Sequence, residues 1–119
     1  VGLALLAAYL FLRPSAPAEA RLNAQGLRAL RVGEPKLQLI DVRTPEEFAE
    51  GHLKGAKNIP LDVLVGRLAE ISKDQPVALY CRSGNRSGSA LRIMHANGYP
   101  KAQHLEGGIL AWQREGLPL

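Results

Sequence analysis

The sequence predicts an α/β fold in which a parallel central sheet is flanked by helices on both faces. Strand-like apolar runs alternate along the chain with helix-like segments, and this order is typical of parallel sheets. Residues 76–80 (PVALY) are continuously apolar, as expected of a strand that is buried on both faces. A loop rich in glycine and serine follows this run, at the edge where open α/β sheets bind ligands.

The predicted domain begins with a helix and a strand. Residues 20–32 are expected to form the helix despite Gly26. Its leucines are expected to face the core: Leu22, Leu27 and Leu30. Residues 36–41 (KLQLID) predict a strand that ends on the charged Asp41.

A short helix and a brief strand come next. Thr44 suits the N-cap position, Pro45 suits the first helical position, and Glu47 completes a capping box. The helix is expected to end at Gly51, and residues 56–59 are expected to form the strand.

The remaining segments continue the alternation of helices and strands. Asp62 can cap a helix whose apolar side chains fall on one face: Leu64, Val65, Leu68 and Ile71. After the strand at residues 76–80 and its loop, a helix is expected to extend to about Asn97, with Gly98 as its C′ residue. Residues 103–105 predict a last strand, and residues 109–115 predict a last helix.

The composition is that of one globular domain and excludes several functional classes. The chain has 119 residues, of which 46% are apolar and 22% are charged, so it can form one modest core. The net charge is +4, but the basic residues are not clustered with aromatic ones, so no nucleic-acid surface is expected. The single cysteine, Cys81, excludes an internal disulfide and a zinc site built on cysteine pairs. We expect neither a metal nor another cofactor.

The first thirteen residues form an apolar segment that stands apart from the domain. Residues 1–12 carry no charge, and Arg13 and Pro14 end the run abruptly. The run is shorter than the about 20 apolar residues that a spanning helix needs. Because the chain begins with Val1 rather than Met, we expect that an upstream stretch has been removed.

Residues 1–13 are therefore expected to be the end of a membrane anchor. Several arginines follow the segment, as in a cytoplasmic flank, which favours a cytoplasmic catalytic domain. A second interpretation is a signal sequence with the cleavage motif Ala18-Glu19-Ala20, which would leave a periplasmic domain. A third is a buried helix of a soluble protein. Residues 14–19 are predicted to be a linker, and residues 20–119 the domain.

The loop at residues 81–88 (CRSGNRSG) carries the candidate chemistry. Its glycines and serines allow successive backbone N–H groups to turn inwards, and the following helix adds the positive end of its dipole. A cysteine in such a nest, flanked by Arg82 and Arg86, is expected to have a lowered thiol pKa and to act as a nucleophile. A lone cysteine at a strand end is usually a small core residue. Here the flanking guanidinium groups favour a reactive thiol, because a packed core does not need them.

Four segments of the chain resemble conserved elements of the rhodanese family. The loop CRSGNR is similar to the family's C-x-x-G-x-R active-site loop, and Asp41-Val42-Arg43 is similar to its D-V-R element. Residues 51–60 (GHLKGAKNIP) resemble G-H-I-x-G-A-x-N-I-P, with Leu53 in place of the isoleucine. Residues 105–112 (LEGGILAW) resemble the C-terminal G-G-x-x-x-W element. The resemblance spans about residues 20–118, and membrane-tethered members of the family are similar in having an apolar leader.

The resemblance implies a rhodanese-like fold and a sulfurtransferase activity. A donor such as thiosulfate would load Cys81 as a persulfide, and an acceptor such as cyanide, a small thiol or a protein thiol would remove the outer sulfur. The loop residues would bind the donor and the persulfide: Arg82, Ser83, Gly84, Asn85, Arg86 and Ser87. Arg82 would bind the departing sulfite, whereas Arg86 would point back to Asp41 and brace the loop. Arg43 is expected to support the loop in a similar way.

Other candidate residues are expected to be structural. His52 is expected to pack in a loop, and His95 and His104 have no acidic or metal-binding partner at a useful spacing. Trp112 is expected to lie in the core of the last helix, after a close approach of the chain at Gly107 and Gly108.

Two other functions compete with sulfur transfer. A cysteine phosphatase or arsenate reductase uses the same strand–loop–helix arrangement but needs a C-x5-R loop, whereas the arginine here is the fifth residue after Cys81. A non-enzymatic docking module of the same family commonly lacks the cysteine, and this chain keeps Cys81 with both arginines.

Overall fold

The computed structural model describes residues 20–119, and within them five strands form one parallel sheet. The strands are β1 (Arg21–Leu22), β2 (Gln38–Asp41), β3 (Lys57–Asn58), β4 (Val77–Tyr80) and β5 (Gln103–Leu105). The helices are α1 (Ala24–Gly33), α2 (Pro45–Glu50), α3 (Asn85–Ala96) and α4 (Gly108–Arg114), with 3₁₀ helices at Leu61–Val63 and Val65–Glu70. The strand order is β1-β5-β4-β2-β3. The predicted anchor and linker at residues 1–19 lie outside the described residues.

Helices cover both faces of this sheet, as the sequence predicted. Side chains of β4 alternate between the two faces: Leu79 contacts one apolar cluster and Tyr80 the other. The first cluster is completed by α3 and the 3₁₀ region, and the second by α1 and α4. All four residues of β4 are buried, which confirms the prediction from the PVALY run. No helix in the described part of the chain is long and apolar enough to cross a bilayer.

The start of the domain differs from the predicted helix at residues 20–32. Leu22 lies in β1 and pairs with Leu105 of β5, so it is not on the helix. The helix begins only after Asn23, whose side-chain oxygen accepts a 2.7 Å hydrogen bond from the Gly26 amide. Asparagine is a strong N-cap, and β1 gains ladder hydrogen bonds at the edge of the sheet. The two effects together move the start of the helix from residue 20 to Ala24.

The helix predicted after Asp62 is also wrong in type and in orientation. Two 3₁₀ helices occupy the region, and Asp62 makes no capping hydrogen bond. Gly66 weakens the α-helical preference of the segment. Because side chains of a 3₁₀ helix repeat every three residues, Leu64 is buried whereas Val65 is 63% exposed.

Two predicted helix boundaries are confirmed in detail. The Glu47 amide donates to Thr44 Oγ1, and Glu47 Oε1 accepts from the Thr44 amide, each at 3.2 Å, so the capping box is formed. At the other end of the sheet, α3 ends at Ala96, and Gly98 follows with a φ of +93°. The first of these helices lies beside the cysteine loop, and its cap contributes to the site.

Candidate active site

Cys81 follows the central strand β4 directly, so it lies at the carboxyl edge of the sheet. Tyr80 ends the strand, and α3 begins at Asn85, so four residues make the whole connection. Gly84 allows this short path because it takes a φ of +109°, in the region that favours glycine. Cys81 is 1% exposed and lies under the amino end of α3, a helix of 12 residues. The positive end of the helix dipole therefore lies close to the sulfur.

The sulfur of Cys81 is surrounded by hydrogen-bond donors. The Gly84 amide donates to Sγ at 3.1 Å, and Ser87 Oγ lies 3.5 Å from Sγ. Burial raises the pKa of the Cys81 thiol and is the largest single influence on it. The Ser87 hydroxyl and the amides of Ser87, Gly84 and Ser83 together outweigh burial, so the thiol pKa lies below its ordinary value. The lowered pKa predicted for Cys81 thus has a source in the loop itself.

The C-terminal helix α4 holds the outer side of the loop. The Ile109 amide donates to Cys81 O at 2.9 Å, and the Leu110 amide donates to Arg82 O at 3.2 Å. These are amides at the start of a helix, which have no partner within the helix. Gly108 makes the approach possible, because a Cβ at that position would lie 2.3 Å from Arg82 O. The close approach predicted at this glycine pair is therefore present, and its contact is the cysteine loop.

The two loop arginines have different surroundings, but the pairing predicted for Arg86 is wrong. Arg86 forms a two-point ion pair with Glu47, with Nη1–Oε1 at 2.6 Å and Nη2–Oε2 at 2.9 Å. It does not bond Asp41, because α2 places a half-buried carboxylate closer to the loop. The Arg86 hydrogen bonds lower the pKa of Glu47 to about 2. Arg82 is exposed, and its guanidinium makes no hydrogen bond or ion pair with any residue in the range 20–119.

Asp41 is instead the partner of Arg43. Arg43 Nη2 donates to Asp41 Oδ2 at 2.7 Å, and Arg43 Nε lies 3.1 Å from both carboxylate oxygens. Asp41 is fully buried and Arg43 is 6% exposed. Arg43 also donates to Gly51 O at 2.7 Å, so the pair ties the end of β2 to the segment after α2. The supporting role expected of Arg43 thus has a structural basis, and it concerns the strand edge beside the loop.

A cleft of about 300 Å³ opens beside the loop. Its lining includes Arg82 from the loop, Arg43, Glu50 and residues of α4 such as Leu110 and Gln113. Ser83 and Asn85 are exposed at the surface of the loop, whereas Ser87 is fully buried beneath it. The predicted loop residues are therefore brought together around Cys81, but they divide into an outer group that faces solvent and an inner group that contacts sulfur.

Two residues of the site were not assigned to it from sequence. The sequence indicates Glu47 only as part of a capping box, because its second partner, Arg86, lies 39 positions away. In the sequence His104 has no acidic or metal-binding partner at a useful spacing, but in the structure its Nδ1 lies 2.9 Å from Ser87 Oγ. His52 and Trp112 have the packing roles expected of them: His52 stacks on Phe48, and Trp112 is buried in the core. Within residues 20–119, no three His, Cys, Asp or Glu side chains lie together as metal ligands would.

Comparison with known proteins gives consistent matches over the same region. A family model described as "Rhodanese-like domain" matches residues 23–115. A protein of Allochromatium vinosum named "Sulfurtransferase" is 44% identical over 81 residues, which cover 68% of this chain and 76% of that protein. The uncharacterized protein YqhL of Bacillus subtilis is 49% identical over 82 residues, which cover 69% of this chain and 65% of that protein. A rhodanese-related protein of Thermoplasma volcanium has a similar crystal structure, with a TM-score of 0.75 and 31% identity over 82% of this chain and 94% of that one.

Proposed function

Because the chain belongs to the rhodanese-like domain family and has a sulfurtransferase among its relatives, we propose that it moves sulfane sulfur through a persulfide on Cys81. The observation that carries the proposal is the environment of Sγ. A buried thiol receives a 3.1 Å hydrogen bond from the Gly84 amide and lies under the amino end of α3. This environment favours the thiolate, which is the form that attacks a sulfur donor.

The first half of the proposed reaction loads the cysteine. The Cys81 thiolate attacks the outer sulfur of thiosulfate, a new S–S bond forms, and the old S–S bond breaks with its electron pair leaving on sulfite. The terminal sulfur of the persulfide then carries the negative charge. The amides of Ser83, Gly84 and Ser87 are oriented before this charge forms, so little reorganisation is needed to stabilise it.

The second half returns the enzyme to its starting state. A nucleophile such as cyanide or a thiolate attacks the terminal sulfur, and Cys81 leaves as a thiolate in the same hydrogen-bonding environment. We propose that the acceptor approaches through the cleft beside Arg82 and α4, which has a volume of about 300 Å³. This volume is sufficient for a small thiol or for the side chain of a protein cysteine.

Arg82 is proposed to bind the anionic donor and the departing sulfite. Its guanidinium is exposed and has no partner among residues 20–119, so it can bind an anion without breaking an existing ion pair. Arg86 is less suited to this role, because both of its terminal nitrogens bond Glu47.

The persulfide is tested by mass spectrometry of the intact chain after treatment with thiosulfate. We expect the mass to increase by one sulfur atom and to return to its original value after addition of cyanide, with thiocyanate as the product. Cys81→Ser should show neither change. Turnover near the wild-type rate in Cys81→Ser, or no adduct with thiosulfate or with an organic persulfide, would contradict the proposal.

Steady-state kinetics test the role of Arg82. Arg82→Ala should raise the KM for thiosulfate by at least about tenfold, because a hydrogen bond between charged groups contributes roughly 1.5–3 kcal/mol. The matched control is Arg92→Ala, which removes an exposed arginine of α3 that bonds Ser89. It removes the same charge away from the loop and should leave KM nearly unchanged. Equal KM values in the two variants would contradict a specific role for Arg82.

A further inference from the structure

A buried histidine lies behind the cysteine loop and has no part in the mechanism above. His104 of β5 is 7% exposed, and its Nδ1 lies 2.9 Å from Ser87 Oγ. The same oxygen lies 3.5 Å from Cys81 Sγ, and Ser87 is fully buried. The three side chains therefore form a continuous hydrogen-bonded line from the sulfur to the imidazole.

His104 lies on a strand inside the sheet, and a small part of it, 7%, is exposed. His104 pairs with Leu79 of β4 on one side and with Arg21 of β1 on the other. No group in the described range bonds Nε2, and no buried side-chain nitrogen or oxygen there lacks a partner. Nε2 is therefore not fully covered by the described residues. The line of side chains thus connects a buried thiol to solvent.

Burial of His104 favours a neutral ring, and the two nearby charges act in opposite directions. Burial is the largest influence and lowers the pKa of His104; the carboxylate of Glu106 opposes this effect, and the guanidinium of Arg21 adds to it. A neutral imidazole carries its proton on one nitrogen only, and either nitrogen can hold it. The position of this proton decides whether Nδ1 accepts or donates a hydrogen bond.

The Ser87 hydroxyl has one hydrogen and three neighbouring acceptors. These are Cys81 Sγ, His104 Nδ1, and Gly84 O at 3.3 Å. When Nδ1 has no proton, the hydroxyl donates to the imidazole at the shortest of the three distances, and the thiol can only donate to Oγ. When Nδ1 carries a proton, it donates to Oγ, and the hydroxyl hydrogen becomes available to the sulfur anion.

We propose that Cys81, Ser87 and His104 form a proton path, in which His104 is a positioning residue that directs the Ser87 hydroxyl towards the thiolate. On ionisation the S–H bond breaks and its proton passes to Ser87 Oγ, while the original Ser87 proton passes to His104 Nδ1. The proton on Nε2 leaves to water, so the ring is neutral before and after. The same arrangement stabilises Cys81 when it leaves the persulfide. The proton path would serve the proposed sulfur transfer, on which this role rests, but the ionisation of Cys81 is independent of any sulfur donor.

The test measures the rate of Cys81 alkylation by iodoacetamide as a function of pH in the full chain. The midpoint of this profile reports the thiolate directly, because Cys81 is the single cysteine. Ser87→Ala should shift the midpoint upward by about one pH unit, the size expected for loss of a hydrogen bond to a charged group. His104→Phe keeps a ring at the site but removes both nitrogens, and it should shift the midpoint upward by about half as much.

Two further variants separate the hydrogen bond from packing. The side-chain amide of His104→Asn can take the place of Nδ1 and donate to Ser87 Oγ, although it cannot pass a proton on. Because the midpoint depends on the hydrogen bond that the Ser87 hydroxyl gives to the thiolate, the midpoint should return close to that of the wild type. The amide of His104→Gln falls near the place of Nε2, so its profile should resemble that of His104→Phe. The matched control is His95→Phe. Among the described residues, the His95 ring bonds the Ala102 carbonyl, at 3.0 Å, and not the cysteine loop, so this substitution should leave the profile unchanged.

The double variant Ser87→Ala/His104→Phe decides whether His104 acts through Ser87. We expect its profile to match that of Ser87→Ala alone, because the path is already broken at the hydroxyl. A His104 effect of the same size in both backgrounds, or identical profiles for His104→Asn and His104→Gln, would overturn the proposal. The readout also separates the two proposals. Shifted profiles without a persulfide would contradict sulfur transfer alone, and a persulfide with unshifted profiles would contradict the proton path alone.

Discussion

Gly108 is the residue outside the loop whose substitution should damage the site most directly. A Cβ at this position would lie 2.3 Å from Arg82 O, 2.4 Å from Arg82 C and 2.6 Å from Cys81 O. All three are backbone atoms, so the overlap cannot be relieved by rotation of a side chain. Gly108→Ala should therefore separate α4 from the loop and weaken the hydrogen bonds from Ile109 and Leu110 to the two loop carbonyls.

The size of the effect follows from two contributions. Gly108 has a φ of +63°, and a non-glycine residue in this region costs roughly 1–2 kcal/mol. The overlap with backbone adds about 1–3 kcal/mol, as in other overpacked positions. Gly116 provides a matched control, because its φ is +71° and, apart from its chain neighbours, no atom of the described residues lies within 4 Å of its added Cβ. Gly116→Ala should therefore cost only the first amount, and Gly108→Ala the sum, about 2–5 kcal/mol.

Urea unfolding of both variants gives the free energies, and the pH profile of Cys81 alkylation gives the state of the loop. We expect Gly108→Ala to lose more stability than Gly116→Ala and also to raise the alkylation midpoint, because the loop amides move away from the sulfur. Gly116→Ala should leave the midpoint unchanged. Equal losses of stability, or an unchanged midpoint in a folded Gly108→Ala protein, would show that α4 does not support the loop.

Three further predictions concern the charges and the length of the loop. Arg43→Ala should lower the free energy of unfolding by about 3–5 kcal/mol, because it leaves the buried carboxylate of Asp41 without its ion-pair partner. Arg86→Ala should lower it by about 1 kcal/mol or less, because Glu47 is partly hydrated. Urea unfolding measures both losses, and a larger loss in Arg86→Ala would contradict the observed pairing. The pKa of Glu47 is lowered to about 2, so its contribution to stability is complete above about pH 4.5 and is lost as the pH falls through 2. Unfolding of wild type and Glu47→Gln between pH 7 and pH 3 should show a difference that shrinks with acid, and a constant difference would refute this. Finally, the native chain should show no hydrolysis of an aryl phosphate, whereas one glycine inserted between Asn85 and Arg86 should weaken sulfur transfer and admit phosphate or arsenate as a ligand, as measured by protection of Cys81 from alkylation.

Local signals in the sequence predict the strands β2 to β5 and the cap at Thr44, because those features depend on neighbouring residues, whereas β1 and the unformed cap at Asp62 were not predicted correctly. The capping box of Thr44 and Glu47 and the buried run of β4 are of this kind. The 3₁₀ region was not predicted, because apolar residues spaced for an α-helix can also be buried by a tighter helix that turns Val65 outward. Which side chains of a short apolar segment face the core depends on the surface against which the segment packs.

The partners of charged residues could not be predicted in the same way. Arg86 and Arg43 both lie near Asp41 in the expected arrangement, and sequence alone does not say which of them reaches it. In the structure Asp41 pairs with Arg43, which follows it by two positions in the chain, and Arg86 pairs with a carboxylate of α2. His104 shows the same limit: its partner is a hydroxyl on another element, and no spacing in the sequence records that contact.

A loop of six residues cannot by itself hold several donors around one sulfur atom. Its path is fixed from outside by three contacts: α4 amides hold the carbonyls of Cys81 and Arg82, Glu47 holds Arg86, and His104 holds Ser87. Each supporting group comes from a different element, so the donors are oriented only when the whole domain is folded. The guanidinium of Arg82 has no such contact among residues 20–119, and Arg82 lines the cleft. Changes to the supporting groups should therefore alter stability and thiol ionisation together, whereas changes to Arg82 should alter donor binding alone.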